Sequence, residues 1–220
     1  MRRLAMILCV LFAGADALLA QLTTPTDWKW RQDAPAPVAT KMEPGSWVFV
    51  QMPPGWHVTT GPGALLYPDS GGDTSGNFSL EAEVFLFPGE SQSEYGVFLG
   101  GRDVDGNAPE YTAFVLRRDG QAAVLRRRAG RAAPIADWQR HDAVVPHKGG
   151  NDAVKNVVRV DVDPQNATML VNGTKVVSIA RNEIGADGRV GLRVGDAMNL
   201  HISTFNVTRR FAPTPVKKSQ

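Results

Sequence analysis

The chain has 220 residues, with 24 Lys and Arg against 22 Asp and Glu, 43% hydrophobic residues, 22 Gly, 15 Pro and a single Cys. This balance excludes a mainly disordered, collagen-like or low-complexity chain, and the length suits one domain with tails. A net charge of +2 is too small to mark a nucleic-acid binder, which concentrates a large basic excess on one face.

Residues 1–20 carry Arg2 and Arg3, an apolar run from Leu4 to Ala13, and then small residues, the pattern of a cleaved secretory signal. Cleavage fits after Ala17 or Ala20, with Ala20 preferred because Gln21 follows. The run is short of the roughly 20 apolar residues of a membrane span, and Asp16 interrupts it. Cys9 lies inside the leader, so the expected mature protein has no cysteine and depends on its hydrophobic core, as exported bacterial domains often do. The sequons at Asn77, Asn166, Asn172 and Asn206 are read as chance. Setting aside Arg2, Arg3 and Asp16 of the leader and Arg209, Arg210, Lys217 and Lys218 of the tail leaves 18 basic and 21 acidic residues. The folded part is therefore slightly acidic, at −3.

Residues 21–45 are expected to form an extended lead-in, because 33–45 is Pro- and Ala-rich and shows no periodicity. From 46 to 209 short β-rich segments alternate with Gly, Asp and Asn, at the spacing of an all-β sandwich. The predicted strands are 46–51, 55–60, 63–67, 77–87, 94–101, 110–118, 121–128, 133–138, 154–162, 166–171, 174–180, 189–194 and 198–208. No helix of two turns is expected. A basic, Pro-containing tail, 210–220, closes the chain.

In 77–87, NFSLEAEVFLF, the residues Phe78, Leu80, Ala82, Val84 and Leu86 alternate with Ser79, Glu81, Glu83, Phe85 and Phe87. Glu81 and Glu83 thus share the non-core face, with Cβ atoms about 7 Å apart. Such a pair is the candidate catalytic site, one carboxylate as nucleophile and the other as acid and base of glycoside hydrolysis. The competing reading makes them solvated or arginine-paired surface acids. The next segment, DVDGN, offers Asp103, Asp105 and Asn107 as oxygen ligands for calcium, against a plain Asp-Gly-Asn turn. No other cofactor motif is present, and His57, His141, His147 and His201 lack metal-ligand spacing.

Asp119-Gly120 and Asn172-Gly173 predict two hairpins with two-residue turns. The first register sets Arg118 opposite Gln121, Phe114 opposite Leu125, and Tyr111 opposite Arg128. Phe114, Leu116, Ala123 and Leu125 then face the core. Tyr111, Arg117, Arg126 and Arg128 share the other face and form the candidate ligand site, arginine forks and a ring suiting a sugar, a uronate or another anion. The alternative is an exposed strand kept soluble by charge. Nucleic acid is not expected there, because no stacking ladder accompanies the arginines. In the second hairpin Leu170 faces Lys175 and Met169 faces Val176. Trp56 and Trp138 are read as core plugs, or else as sugar-stacking rings.

The strand NFSLEAEVFLF, the YGVFLGGRD to YTAFVLRRDG pair, NVVRVDVDPQNATMLVNGTKV and the closing GRVGLRVGDAMNLHISTFNVTR together resemble the concanavalin A-like lectin and glucanase superfamily. Within it the chain is most similar to the bacterial 3-keto-disaccharide hydrolase, glycoside-hydrolase-16-like, family and to laminin-G-like modules. The resemblance covers about 46–209 and implies a jelly-roll sandwich of two antiparallel sheets. Family-16 glucanases carry three acids at alternate positions of one strand; here the series runs Glu81, Glu83, Phe85, so the third is missing. The expectation is an exported, periplasmic or extracellular carbohydrate- or glycoconjugate-binding domain without a catalytic motif. Hydrolysis of 3-keto-disaccharides, as the resemblance implies, and an envelope protein-interaction module are the alternatives.

Overall fold

The computed structural model describes residues 23–39 and 46–210. The leader with Cys9 and both cleavage sites, and the tail beyond 210, lie outside the described residues. The described chain folds into two packed antiparallel sheets, as the alternating segments require. In the first the order is β1 (Trp28–Gln32), β4 (Ala64–Pro68), β14 (Gly188–Val194), β7 (Tyr95–Arg102), β8 (Glu110–Leu116), β9 (Gln121–Arg128) and β10 (Arg131–Arg140), with the short β5 (Asp73–Thr74) paired to β14. In the second it is β13 (Thr174–Ala180), β12 (Asn166–Val171), β11 (Val154–Val162), β6 (Asn77–Leu86), β15 (Asn199–Arg210), β3 (Trp56–Thr59) and β2 (Val48–Gln51). One 3-10 turn, Arg181–Glu183, is the sole helical element among the described residues.

The core lies between the sheets. From the second sheet, β6 contributes Phe78, Leu80, Ala82, Val84 and Leu86, beside Val158, Val160 and Val162 of β11. From the first come Leu66, Val97, Phe114, Val124 and Leu192. A second apolar cluster, Leu65, Tyr67, Phe98, Tyr111, Ala113, Val115, Ala123 and Leu125, belongs to the strands of the first sheet, with Val104 from the loop after β7. It covers the sheet's outer face, so β8 and β9 are buried on both sides.

This double burial coincides with a corrected register. Gly120 N–H donates to Arg117 O (3.1 Å) and Arg117 N–H to Gln121 O (2.9 Å), with Gly120 at φ 90°. The loop therefore has three residues, Arg118, Asp119 and Gly120, a turn closed by a left-handed glycine. Tyr111 pairs with Arg127, Phe114 with Val124 and Ala113 with Leu125, one residue away from the expected pairing. A one-residue slip exchanges the faces of β9. Ala122 and Val124 take the core side, and Ala123 and Leu125 the outer side. Alternation gave no warning, because YTAFVL and AAVL are apolar at every position or nearly so. Arg118 leaves the ladder, is buried, and donates to Phe87 O (2.9 Å) and Ser91 O (3.2 Å). The second hairpin keeps Leu170 opposite Lys175, but a bulge then sets Met169 against Val177 rather than Val176.

The lead-in also needs correction. Within it WKWRQ forms the edge strand β1, running from Trp28 opposite Pro68 to Gln32 opposite Ala64. Trp28 is buried against Trp56, Phe205 and Phe49, with ring centroids 4.8, 5.1 and 6.0 Å away. Lys29 and Arg31 take the opposite face from Trp28 and Trp30, the alternation of a strand covered on one side.

Candidate functional site

The four expected ligand residues do not meet. Tyr111 and Arg117 do share the outer face of β8, but they stand six residues, about 20 Å, apart along the strand direction. Arg117 stacks on Trp138, its Cζ 3.8 Å from the ring centroid. The corrected register turns Arg126 to the other side of the sheet, where it donates to Glu183 O. Arg128 sits at the strand end, largely exposed, in an ion pair with Glu110 at 2.7 Å. The residue that faces Tyr111 is Arg127, the middle of the Arg126 to Arg128 run.

Around Tyr111 and Arg127 the structure builds a charged network. Arg193 of β14 is 2% exposed, and its fork takes both carboxylate oxygens of Asp33, at 2.9 and 2.6 Å. Its Nε donates to Glu94 Oε1 at 3.0 Å, and Arg127 Nη2 donates to the same oxygen. Burial pushes the Glu94 carboxyl up, but the Arg193 and Arg127 guanidiniums outweigh it and hold the group below its ordinary range. Two acids and two bases thus alternate as Asp33, Arg193, Glu94, Arg127, with their charges balanced as a set. Asp33 reaches the network because β1 ends beside Gly63, whose carbonyl accepts the Asp33 N–H at 2.7 Å.

Above this network opens a cleft of about 530 Å³, within the usual range of small-molecule sites. Arg31 and Asp33 line it from the N-terminal edge, Asn107 from the loop after β7, Tyr111 and Arg127 from the central hairpin, and Asp196 from the turn before β15. Tyr111 packs on Phe98, ring centroids 5.3 Å apart. Burial raises the pKa of its hydroxyl, against the lowering effect of Arg193 and Arg127, so it stays protonated at neutral pH. Sequence reasoning identified Tyr111 and assigned Asn107 to a different role. It missed Arg31 and Asp33 because they fall in the lead-in, and Arg127 because the hairpin register was one residue out.

Glu81 and Glu83 share the outer face of the second sheet, on the opposite side of the sandwich from Tyr111. The structure therefore does not bring Glu81, Tyr111 and Arg126 to one groove. Glu81 lies 3.8 Å from Arg159, while Glu83 accepts from Ser203 Oγ at 2.7 Å and Lys155 Nζ at 3.2 Å. The Ser203 hydrogen bond, aided by Lys155 and opposed by slight burial, holds the Glu83 carboxyl below its ordinary range. A general acid at neutral pH requires the opposite shift. A smaller cleft of about 370 Å³ lies beside Glu81 and Arg159, and three of its lining side chains are drawn to one neighbouring carboxylate. There Asp161 takes Ser79, Arg159 and Arg210, at 2.7, 2.8 and 3.1 Å.

In the DVDGN loop Asp103 accepts the Ala108 N–H at 2.8 Å, and Asp105 accepts the Tyr67 hydroxyl. Asn107 instead lines the larger cleft. No group of three or more His, Cys, Asp or Glu side chains converges as a metal site among the described residues. Nor is any described helix long and apolar enough to cross a membrane.

No family model matches the chain, and no curated protein matches its sequence. Solved structures do match its fold. The carbohydrate-binding module CBM66 from Bacillus subtilis superposes with a TM-score of 0.59 at 10% identity, over 86% of this chain and 97% of that one. A functionally unknown protein from Saccharomyces cerevisiae gives 0.51 at 13% identity, over 86% and 100%. The GH43 protein BlXynB from Bacillus licheniformis gives 0.51 at 10% identity, over 86% of this chain but 38% of that one. At these identities the likeness is one of fold. The shared fold is a jelly-roll β-sandwich of two antiparallel sheets.

Proposed function

We propose that the protein is an exported carbohydrate-binding β-sandwich that takes its sugar in the cleft lined by Arg31, Asp33, Asn107, Tyr111, Arg127 and Asp196. One observation carries the reading. A cleft of ligand size places arginine and amide donors, a carboxylate and a tyrosine around one space, over a network held by a buried arginine. Sugar hydroxyls both donate and accept hydrogen bonds, and such a mixed lining answers both. The Arg193 network sets the walls before a ligand arrives, which limits the ordering cost of binding. The fold it shares with a protein described as a carbohydrate-binding module supports the same reading. Export rests on the leader, residues 1–20.

The test is a glycan array followed by isothermal titration of the hits, with Arg31→Ala and Asn107→Ala as variants. Neither side chain holds the fold together, so both variants are expected to fold and to bind at least several-fold more weakly. Silence of the array combined with capture of a protein partner would replace this reading with the interaction-module one. Release of sugar from 3-keto-disaccharides, abolished by Glu83→Gln, would replace it with hydrolysis.

A further inference from the structure

The hydrogen-bonding capacity left open in the cleft is unevenly divided between donors and acceptors. Both oxygens of Asp33 are taken by Arg193, and Glu94 Oε1 is shared by Arg193 and Arg127. One oxygen of Asp196 accepts the Gly63 N–H at 2.6 Å. On the donor side, Arg31 forms no ion pair and its guanidinium donates to no acceptor among the described residues. Arg127 keeps its Nε–H buried and without an acceptor. The Tyr111 hydroxyl, protonated and in the same cleft, is likewise uncommitted. The Arg31 guanidinium and the Tyr111 hydroxyl thus line the cleft with donor capacity that no described residue uses, while of the side-chain acceptors there Asp33 is already engaged by Arg193, leaving Asp196 and Asn107 as the less committed ones.

A buried donor left without a partner destabilises a fold unless a ligand completes it. A guanidinium fork with no acceptor matches a carboxylate, whose two coplanar oxygens accept two parallel N–H bonds. We infer that the sugar bound here carries a carboxylate, as a hexuronate does, with Arg31 as the residue that selects it. This rests on the carbohydrate reading above and adds the ligand's class. Arg31 is suited to the part because its charge is not balanced by any ion pair, whereas Arg127 and Arg193 are already balanced by Glu94 and Asp33. Asp196 remains to accept from a ring hydroxyl, which distinguishes the site from one for a bare anion.

The experiment titrates the protein calorimetrically with galacturonate and glucuronate oligosaccharides, with their neutral galactose and glucose counterparts, and with galactose 6-sulfate. The uronates are expected to bind about tenfold or more tightly than the neutral sugars, the range of a charge-assisted hydrogen-bond pair. Arg31→Ala should remove that preference by weakening uronate binding far more than neutral binding, and Arg31→Lys should restore only part of it. Neutral sugars that bind as tightly as uronates, with Arg31→Ala affecting both alike, would overturn the class and leave carbohydrate binding standing. Equal affinity for the sulfate would overturn selection by a planar fork. Absence of binding by every sugar would overturn both this inference and the reading on which it rests.

Discussion

Replacing Arg193 by Met removes a side chain that ties the end of the N-terminal strand β1, through Asp33, to β14 of the first sheet. Arg193 is 2% exposed and bonds Asp33 through both Nη atoms and Glu94 through Nε. Removing one partner of a buried ion pair costs about 3–5 kcal/mol, because the other charge is left in a poor environment. Here Asp33 is 31% exposed and rehydrates, and Glu94 keeps Arg127, so the lower end applies, about 3 kcal/mol. For a domain of this size that corresponds to a fall in Tm of about 6–12 °C. Calorimetric unfolding measures the loss. Hydrogen exchange should show the amides of Trp28–Gln32 opening first, while the strands of the second sheet keep their protection. Adding Asp33→Asn to Arg193→Met should recover part of the stability, since Glu94 still pairs with Arg127 and Asp33 no longer carries an unpaired charge. A loss under about 1 kcal/mol, or unchanged exchange in β1, would refute the claim that this network holds the wall of the cleft.

The same residue sets an acid dependence. The folded Glu94 carboxyl is depressed below its ordinary 4.5, so its contribution is present above that value and is lost as pH falls through the lower folded pKa. Arg193→Met removes a lowering influence and brings the folded pKa back toward the unfolded one, so the variant should lose less stability on acidification than the unmutated protein, read from Tm between about pH 6 and 3. Gly120→Ala should cost more than Gly173→Ala. Both glycines are left-handed, at φ 90° and 81°, which costs a side chain about 1–2 kcal/mol, but only at Gly120 does the added Cβ meet a neighbour, Pro146 Cβ at 3.3 Å. Equal Tm losses would refute that difference. Glu83→Gln should leave sugar affinity within about twofold and stability within about 1 kcal/mol, since Glu83 lies on the opposite face and its ion pair is solvent-exposed. A large fall in titrated affinity would move the site to the second sheet.

The residues that carry the proposed site come from β1, β8, β9 and three loops, and the pairing of Asp33 with Arg193 spans 160 residues. No local pattern announces such a contact. Arg31 and Asp33 stand beside a Pro-rich segment, and only the packing of Trp28 on Phe49, Trp56 and Phe205 shows that this stretch belongs to the sheet. Tyr111 was legible as a candidate, but its partner was not. The identity of that partner depends on whether the Arg117 to Gln121 turn holds two residues or three, and both turns accept Asp-Gly.

By itself the sequence determined the all-β class, thirteen of the fifteen described strands, and the inward set Phe78, Leu80, Ala82, Val84 and Leu86. These follow from period-two alternation and from Gly, Asn and Asp at turns, which act within a few residues. The tertiary structure decided which sheet each strand joins, the register of β9, and the meeting of Arg31, Asp33, Tyr111 and Arg127 at one cleft. The physical reason lies in strands buried on both faces. There the apolar pattern no longer distinguishes inside from outside, and register falls to turn geometry and to charged groups that find partners across the sheet.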